Sequence, residues 1–178
     1  MNDDALHPET IAVVSGRPAR EAGSPLNAPL MPASTFHFGT QVEYGRDGNP
    51  GWSALEDALG LLEHGRCVTF ASGLAATAAI LDELPSGTKV IGQAAPYFGV
   101  ASLLRERQAR GQIGHETHPA LTVESLAGAD AGTLVWIESP TNPMLDVVDL
   151  PAVIGAAKRA GATVVVDNTF ATPLTQIP

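Results

Sequence analysis

Two short segments near the carboxyl end of the chain carry residue types that do chemistry. Glu138-Ser-Pro-Thr-Asn-Pro143 is a polar loop leaving the apolar run Thr133–Ile137. Ala162-Thr-Val-Val-Val-Asp167 ends a valine-rich run on a lone carboxylate, and Asn168-Thr-Phe-Ala-Thr-Pro173 follows it. Both runs read as strands, and in open α/β sheets ligands bind at the rim formed by the carboxyl ends of the strands. A carboxylate buried there needs a cation or hydrogen-bond donors, because burying it alone is costly. The protonated ring nitrogen of a bound cofactor meets that need. A capping role for Asp167 is the plainer alternative.

Upstream, Phe70-Ala-Ser-Gly-Leu-Ala75 joins a strand-like run to a helical one. Free backbone N–H groups and the dipole at a helix start attract anions, and Gly73 lets a phosphate approach the backbone. The same residues also suit an ordinary turn with Ser72 as the helix cap. Ser72 as a hydrolytic nucleophile lacks the small-residue pattern of a nucleophile elbow. Tyr97 opens a helix, either to cover the sheet edge or to face a ligand. Tyr44 and Arg46, taken alone, are loop residues. His115-Glu-Thr-His118 holds ligand-type side chains with no third ligand nearby, so surface residues are expected there and no metal. Arg105, Arg107 and Arg110 form the solvated side of a helix. Of the lysines, Lys89 begins an apolar strand and Lys158 lies near a helix C-terminus, where a cation suits the dipole. Cys67, in the run Arg66-Cys-Val-Thr-Phe-Ala71, reads as a buried structural thiol.

The elements that must position these residues follow from periodicity. Residues 1 to about 50 are irregular, with one short helix over Pro8–Val14 and prolines at 25, 29 and 32 punctuating an extended stretch. Such an arm needs another surface to pack on. From Ser53 the pattern becomes regular. Ser53-Ala-Leu-Glu56 reads as a capping box, with Leu55, Ala58, Leu59 and Leu62 on one helical face. Cys67–Ala71 is expected as a strand, Gly73–Leu84 as a helix, Lys89–Gly92 as a strand and Tyr97–Arg110 as a helix closed by Gly111. Gln112–His115 is a strand candidate, Thr122–Ala129 a short helix and Thr133–Ile137 a strand. Asp149 caps a helix with Pro151 in its first turn and Gly161 after its end. Val164–Val166 is the last strand. Strand and helix alternate about five times, and the best strands are continuously apolar, which signals a largely parallel α/β sheet covered on both faces. The expected division is an arm, 1–52, and a larger domain, 53–178.

Composition removes several classes. A chain of 178 residues with 44% hydrophobic residues suffices for one sizeable core. A formal charge of −9 argues against nucleic acid and against an anionic membrane surface. No apolar run approaches the roughly 18 residues of a membrane span, and Met1-Asn-Asp-Asp4 lacks a signal-peptide layout. The single cysteine points to a reducing, cytoplasmic setting.

Taken together, the segments resemble the Cys/Met-metabolism (trans-sulfuration) family of pyridoxal-phosphate enzymes, the cystathionine synthases and lyases. The resemblance spans about Pro25–Pro178, with motifs in five loops in family order. Glu138-Ser-Pro-Thr-Asn-Pro143 matches without a change. Ser72-Gly73-Leu74 stands where the family has a phosphate-binding Ser-Gly-Met turn, used through its backbone. Tyr44-Gly-Arg46 followed by Asn49-Pro50 matches the Tyr-x-Arg segment that reaches a neighbouring subunit's phosphate, although Gly51-Trp52 replaces the usual Thr. The resemblance implies that Tyr97 stacks on the pyridine ring and takes part in proton transfer. It lies in Pro96-Tyr-Phe-Gly-Val100 where the family prefers Tyr-Gly-Gly-Thr, so Phe98 and Val100 are expected to reshape the pocket rim. The resemblance further implies that Asn142 bonds the phenolic oxygen, that Asp167 pairs with the pyridine nitrogen, and that Thr169 lies beside or beneath the ring.

The implied fold is the large domain of fold-type I pyridoxal-phosphate enzymes, truncated and without its C-terminal domain. The implied cofactor is pyridoxal 5′-phosphate, the implied substrate an amino acid, and the implied assembly a homo-oligomer. In this family the Schiff-base lysine lies beyond the Asp-bearing strand, so the chain reads as the front part of an enzyme. A Ser-x-Thr-Lys-like segment soon after Pro178 is expected for an enzyme. A stop codon there is expected for a non-catalytic remnant that binds a partner subunit.

Overall fold

Proline at the first helical position costs no hydrogen bond, and both helices of the amino-terminal unit begin that way. Helix α1 spans Pro8–Val14 and buries Ile11; α2 spans Pro50–Leu62. The structure is a computed structural model that describes residues 6–39 and 42–178; Met1-Asn-Asp-Asp4 lies outside them. The chain forms two compact units, one ending at Phe70 and one spanning Ala71–Pro178.

In the first unit, Gly16 (φ +70°) follows α1, and a Cβ there would stand 2.4 Å from the carbonyl oxygen of Ala54 in α2. Helix α2 starts a turn before the expected capping box. Asn49 is its cap, accepting from the Gly51 amide at 2.8 Å. Glu56, freed from the box, accepts instead from the Thr69 amide and hydroxyl, each at 2.8 Å. Leu55 is 51% exposed, so the expected apolar stripe is not buried in this unit. An isolated antiparallel bridge pairs Thr35 with Tyr44. Cys67–Ala71 is not a strand. No described strand lies alongside to complete its ladder, the Thr69 amide is spent on Glu56, and Val68 and Phe70 are exposed. Propensity without a pairing neighbour does not make a strand.

The second unit holds a four-stranded parallel sheet: β1 (Thr88–Gln93), β2 (Ile113–His118), β3 (Thr133–Glu138) and β4 (Thr163–Asp167), in the order β2-β1-β3-β4. All six residues of β3 are buried, as its continuous apolar run requires of a central strand. Leu134 and Trp136 join Val90, Ile113, Val100, Leu104 and Leu81 on one face, covered by α3 (Gly73–Asp82) and α4 (Phe98–Ala109). Val135 and Ile137 join Ile91, Leu150, Val153 and Ala157 on the other, covered by α5 (Leu150–Arg159). This is the α/β architecture expected, with helices on both faces.

Helix ends obey local signals. Ser72 and Asp149 cap α3 and α5, each accepting an amide three residues on at 3.1 Å. Gly111 (φ +71°) and Gly161 (φ +81°) turn the chain out of α4 and α5. Strand β2 runs longer than expected, through His118, because β1 templates it residue by residue from Thr88↔Ile113 to Gln93↔His118. The helix expected at Thr122–Ala129 is only a 3₁₀ turn, Glu124–Leu126. Ser125 accepts from the Thr122 amide and donates to the Ala120 carbonyl, local bonds that compete with an α-helix.

From β1 the chain leaves through α4 on one face; from the adjacent β3 it leaves through α5 on the other. The carboxyl ends of β1 and β3 therefore flank a crevice, the topological switch point of the sheet.

Candidate functional site

The crevice holds a cavity of about 270 Å³, near the lower end of the roughly 300–1,000 Å³ common for small-molecule sites. Six residues singled out from sequence line it: Gly73, Leu74, Tyr97, Asn142, Asp167 and Thr169. Ser72, Thr77, Val100, Glu138, Pro140 and Phe170 complete the lining. Tyr44 and Arg46 belong to the first unit. There the Arg46 guanidinium sits 4.3 Å from the Tyr44 ring centroid and donates to its hydroxyl at 3.3 Å.

At the start of α3, the Ser72 hydroxyl satisfies the Ala75 amide, and Thr77 donates to the Gly73 carbonyl at 3.1 Å. Among the described residues, the amides of Gly73 and Leu74 find no acceptor. Nothing stands within 4 Å of where a Cβ of Gly73 would be, so the backbone is open to an anion.

Tyr97 is the residue before α4 and is half-buried. Gly99 makes room for its ring: a Cβ there would lie 2.7 Å from Tyr97 Cε1. Of the two bulky departures, Val100 is buried and lines the cavity. Phe98 stays 74% exposed and stacks edge-on against Tyr97, centroids 4.7 Å apart.

Asp167 ends β4, and its Oδ1 accepts the amide and hydroxyl of Thr169. Among the described residues, none donates a hydrogen bond to its Oδ2. Thr169 is thereby fixed beside the carboxylate that faces the cavity.

Glu138 is the residue that the sequence reading passed over. It ends β3 as Asp167 ends β4, the same signal one strand earlier, and it is only 3% exposed. Its Oε2 accepts the Tyr97 amide and its Oε1 the Asn142 amide, both at 2.6 Å. Gln93 at the end of β1 grips its backbone, donating to the Glu138 carbonyl at 2.6 Å and accepting its amide at 2.9 Å. Burial pushes the Glu138 carboxyl above the usual carboxylate range. The two amide donors oppose that shift, and the charge of Asp167 adds to it.

The loop after β3 is pinned from several sides. Thr141 accepts from the Asp146 amide at 3.0 Å, Ser139 from the Val148 amide at 3.2 Å, and Gln176 donates to the Ser139 carbonyl at 2.7 Å. Asn142 is thus held on a fixed loop with its amide committed to Glu138.

Neither lysine lines the cavity. Lys89 Nζ pairs with Glu116 at 2.7 Å near the amino end of β1, and Lys158 sits in the last turn of α5. His115 and His118 alternate to opposite faces of β2, with His118 bonded to Glu116 at 2.9 Å. Among the described residues, no helix is long and apolar enough to cross a membrane.

The unpartnered amides of α3, an aromatic ring over the cavity and a half-open carboxylate opposite suit a phosphorylated, planar cofactor with a protonated ring nitrogen. Comparison with known proteins gives the family. The sequence model of a family described as Cys/Met metabolism PLP-dependent enzyme matches residues 9–178. A cystathionine gamma-lyase of Dictyostelium discoideum is 33% identical over 178 residues, covering 95% of this chain and 46% of the relative. The crystal structure of a cystathionine gamma lyase from Micromonospora echinospora superimposes with a TM-score of 0.85 at 34% identity, over 96% of this chain and 47% of that one. A cystathionine gamma synthase from Xanthomonas oryzae pv. oryzae, solved with cystathionine, gives 0.85 at 34% identity over 94% and 46%. The chain spans about half the length of the relatives it matches.

Proposed function

This chain belongs to the family of Cys/Met-metabolism PLP-dependent enzymes, and from that premise we propose that it is the cofactor-binding part of a trans-sulfuration enzyme. The reaction is β- or γ-elimination or replacement on a sulfur amino acid or an activated homoserine. The observation that carries this reading is the convergence of Gly73, Leu74, Tyr97, Asn142, Asp167 and Thr169 on one cavity at the switch point.

Pyridoxal 5′-phosphate, when bound, supplies an electron sink for the charge left at a substrate Cα. The residues of this chain hold and tune it. The Gly73 and Leu74 amides receive the phosphate at the start of α3. Tyr97 covers the ring and serves in proton transfer, and Asn142 bonds its phenolic oxygen. Asp167 keeps the ring nitrogen protonated through its free Oδ2, with Thr169 steadying the carboxylate.

Arg46 and Tyr44 are proposed to reach the phosphate of a neighbouring subunit in a homo-oligomer. The arm, 1–52, belongs with that contact, and 53–178 with the cofactor-binding large domain. The setting is cytoplasmic. Neither Lys89 nor Lys158 is assigned the Schiff-base role, so the 178 residues alone are expected to be inactive.

The test uses the protein expressed from its complete coding sequence. It is expected to bind pyridoxal 5′-phosphate stoichiometrically with visible absorbance. It is also expected to release ammonia and a 2-oxo acid from a sulfur amino acid, or to substitute an activated homoserine. Absence of both binding and turnover overturns the proposal and leaves the alternative, a non-catalytic chain retaining an oligomer interface.

A further inference from the structure

The two strands that bound the crevice end on residues that grip each other. Gln93 closes on the Glu138 backbone through both its amide nitrogen and its oxygen, at 2.6 and 2.9 Å, and this fixes the Glu138 carboxylate across the gap between β1 and β3. The carboxylate then spends one oxygen on each side: Oε2 on the Tyr97 amide, which opens α4, and Oε1 on the Asn142 amide, in the loop after β3. Tyr97 and Asn142 come from different crossovers on opposite faces of the sheet. This carboxylate accepts the amides of both.

We propose that Glu138 is a positioning residue, an ionised latch that sets Tyr97 and Asn142 in register with each other across the site. A carboxylate accepts one N–H on each of two charged oxygens; protonation turns one oxygen into a donor and a weaker acceptor, and a carboxamide turns an N–H toward the second amide. Charge-assisted bonds of this kind are short and about twice as strong as neutral ones. The latch is therefore closed when Glu138 is ionised and half-released when it is not. The groups that face it are Asp167 from β4, whose charge opposes ionisation, and the amides of Tyr97 and Asn142, which favour it. Burial at 3% exposure, with the field of Asp167, makes the closed state sensitive to acid at a higher pH than an exposed glutamate.

The latch itself stands on the hydrogen bonds alone. Its effect on the cofactor rests on the function proposed above, and two measurements separate them. The first follows the backbone 1H–15N resonances of Tyr97 and Asn142 in the cofactor-free protein, expressed from its complete coding sequence with 15N-labelled tyrosine and asparagine. Both amides are expected to titrate together, with one shared midpoint above the ordinary glutamate value of about 4.3. In Glu138→Gln the shared transition is expected to vanish. Amides that titrate apart, or that stay fixed in the wild-type protein, overturn the latch without any variant having to fold.

The second measures pyridoxal 5′-phosphate affinity. Glu138→Gln is expected to bind about tenfold more weakly, the loss of about 1.4 kcal/mol of preorganisation, and Glu138→Asp to restore part of that loss. A Glu138→Gln protein that folds and binds as tightly as wild type overturns the latch as a positioning device. A wild-type protein that binds no cofactor refutes the function proposed above, and the latch is then decided by the amide titration.

Discussion

Two carboxylates sit on the rim of one crevice, and their surroundings give them different work. Asp167 leaves Oδ2 free for a ligand, while both oxygens of Glu138 are committed to backbone amides. In the protein expressed from its complete coding sequence, Asp167→Asn keeps the size and removes the charge. Turnover is expected to fall by about two orders of magnitude or more while cofactor still binds, because a neutral ring nitrogen makes a poor electron sink. Steady-state rates with a sulfur amino acid check this, and near-wild-type rates would return Asp167 to a capping role. Because Glu138 carries a raised folded-state pKa, its contribution to stability is fully present below the ordinary glutamate value and is lost as pH rises through the raised one. Denaturant midpoints of wild type and Glu138→Gln, compared from about pH 4 to neutrality, are expected to show this falling component in the wild type alone. The ionised latch is thus held at some cost in stability, as functional sites often are.

At the scale of elements, the caps of α3 and α5 form a matched pair. Ser72 and Asp149 each hold one amide three residues on at 3.1 Å, but only α3 opens onto the cavity. Ser72→Ala and Asp149→Ala are each expected to cost about 1 kcal/mol of stability. Only Ser72→Ala should also weaken cofactor binding, since it loosens the turn that presents the Gly73 and Leu74 amides. Thermal melts with and without pyridoxal 5′-phosphate separate the two effects; an equal loss of cofactor affinity in both variants would remove α3 as the phosphate-binding end.

For the molecule as a whole, the outer side of β4 has no neighbouring strand among the described residues, and β4 is only half-buried along Val164–Asp167. Unpaired ladder groups, together with the exposed Phe170, Leu174 and Ile177, invite association. The isolated 178-residue polypeptide is expected to self-associate in sedimentation velocity, more so at high salt, where the repulsion from its −9 charge is screened. A monodisperse monomer with a sharp, cooperative melt would show that this edge is adequately protected. Family membership and fold do not depend on that outcome.

The sequence by itself determined what local chemistry determines. The apolar run Thr133–Ile137 had to be a strand buried on both faces, Gly111 and Gly161 had to end helices, Asp149 had to cap one, and Asp167 had to stand at a strand's carboxyl end. The short motifs in their order were enough to point to the family. Tertiary structure alone decided where pairing partners were: β2 ran on to His118 because β1 lay beside it, and Cys67–Ala71 stayed irregular because no described strand pairs with it. Glu138 was missed for the same reason. Its carboxylate gained meaning only when the order β2-β1-β3-β4 set Gln93 against its backbone and drew the Tyr97 and Asn142 amides onto its two oxygens. A residue's type and local pattern are written along the chain, as the Asn142 amide four residues on is, but the second donor to this buried charge, the Tyr97 amide, comes from 41 residues away and the Gln93 side chain that braces its backbone from 45, and only the folded sheet brings them there.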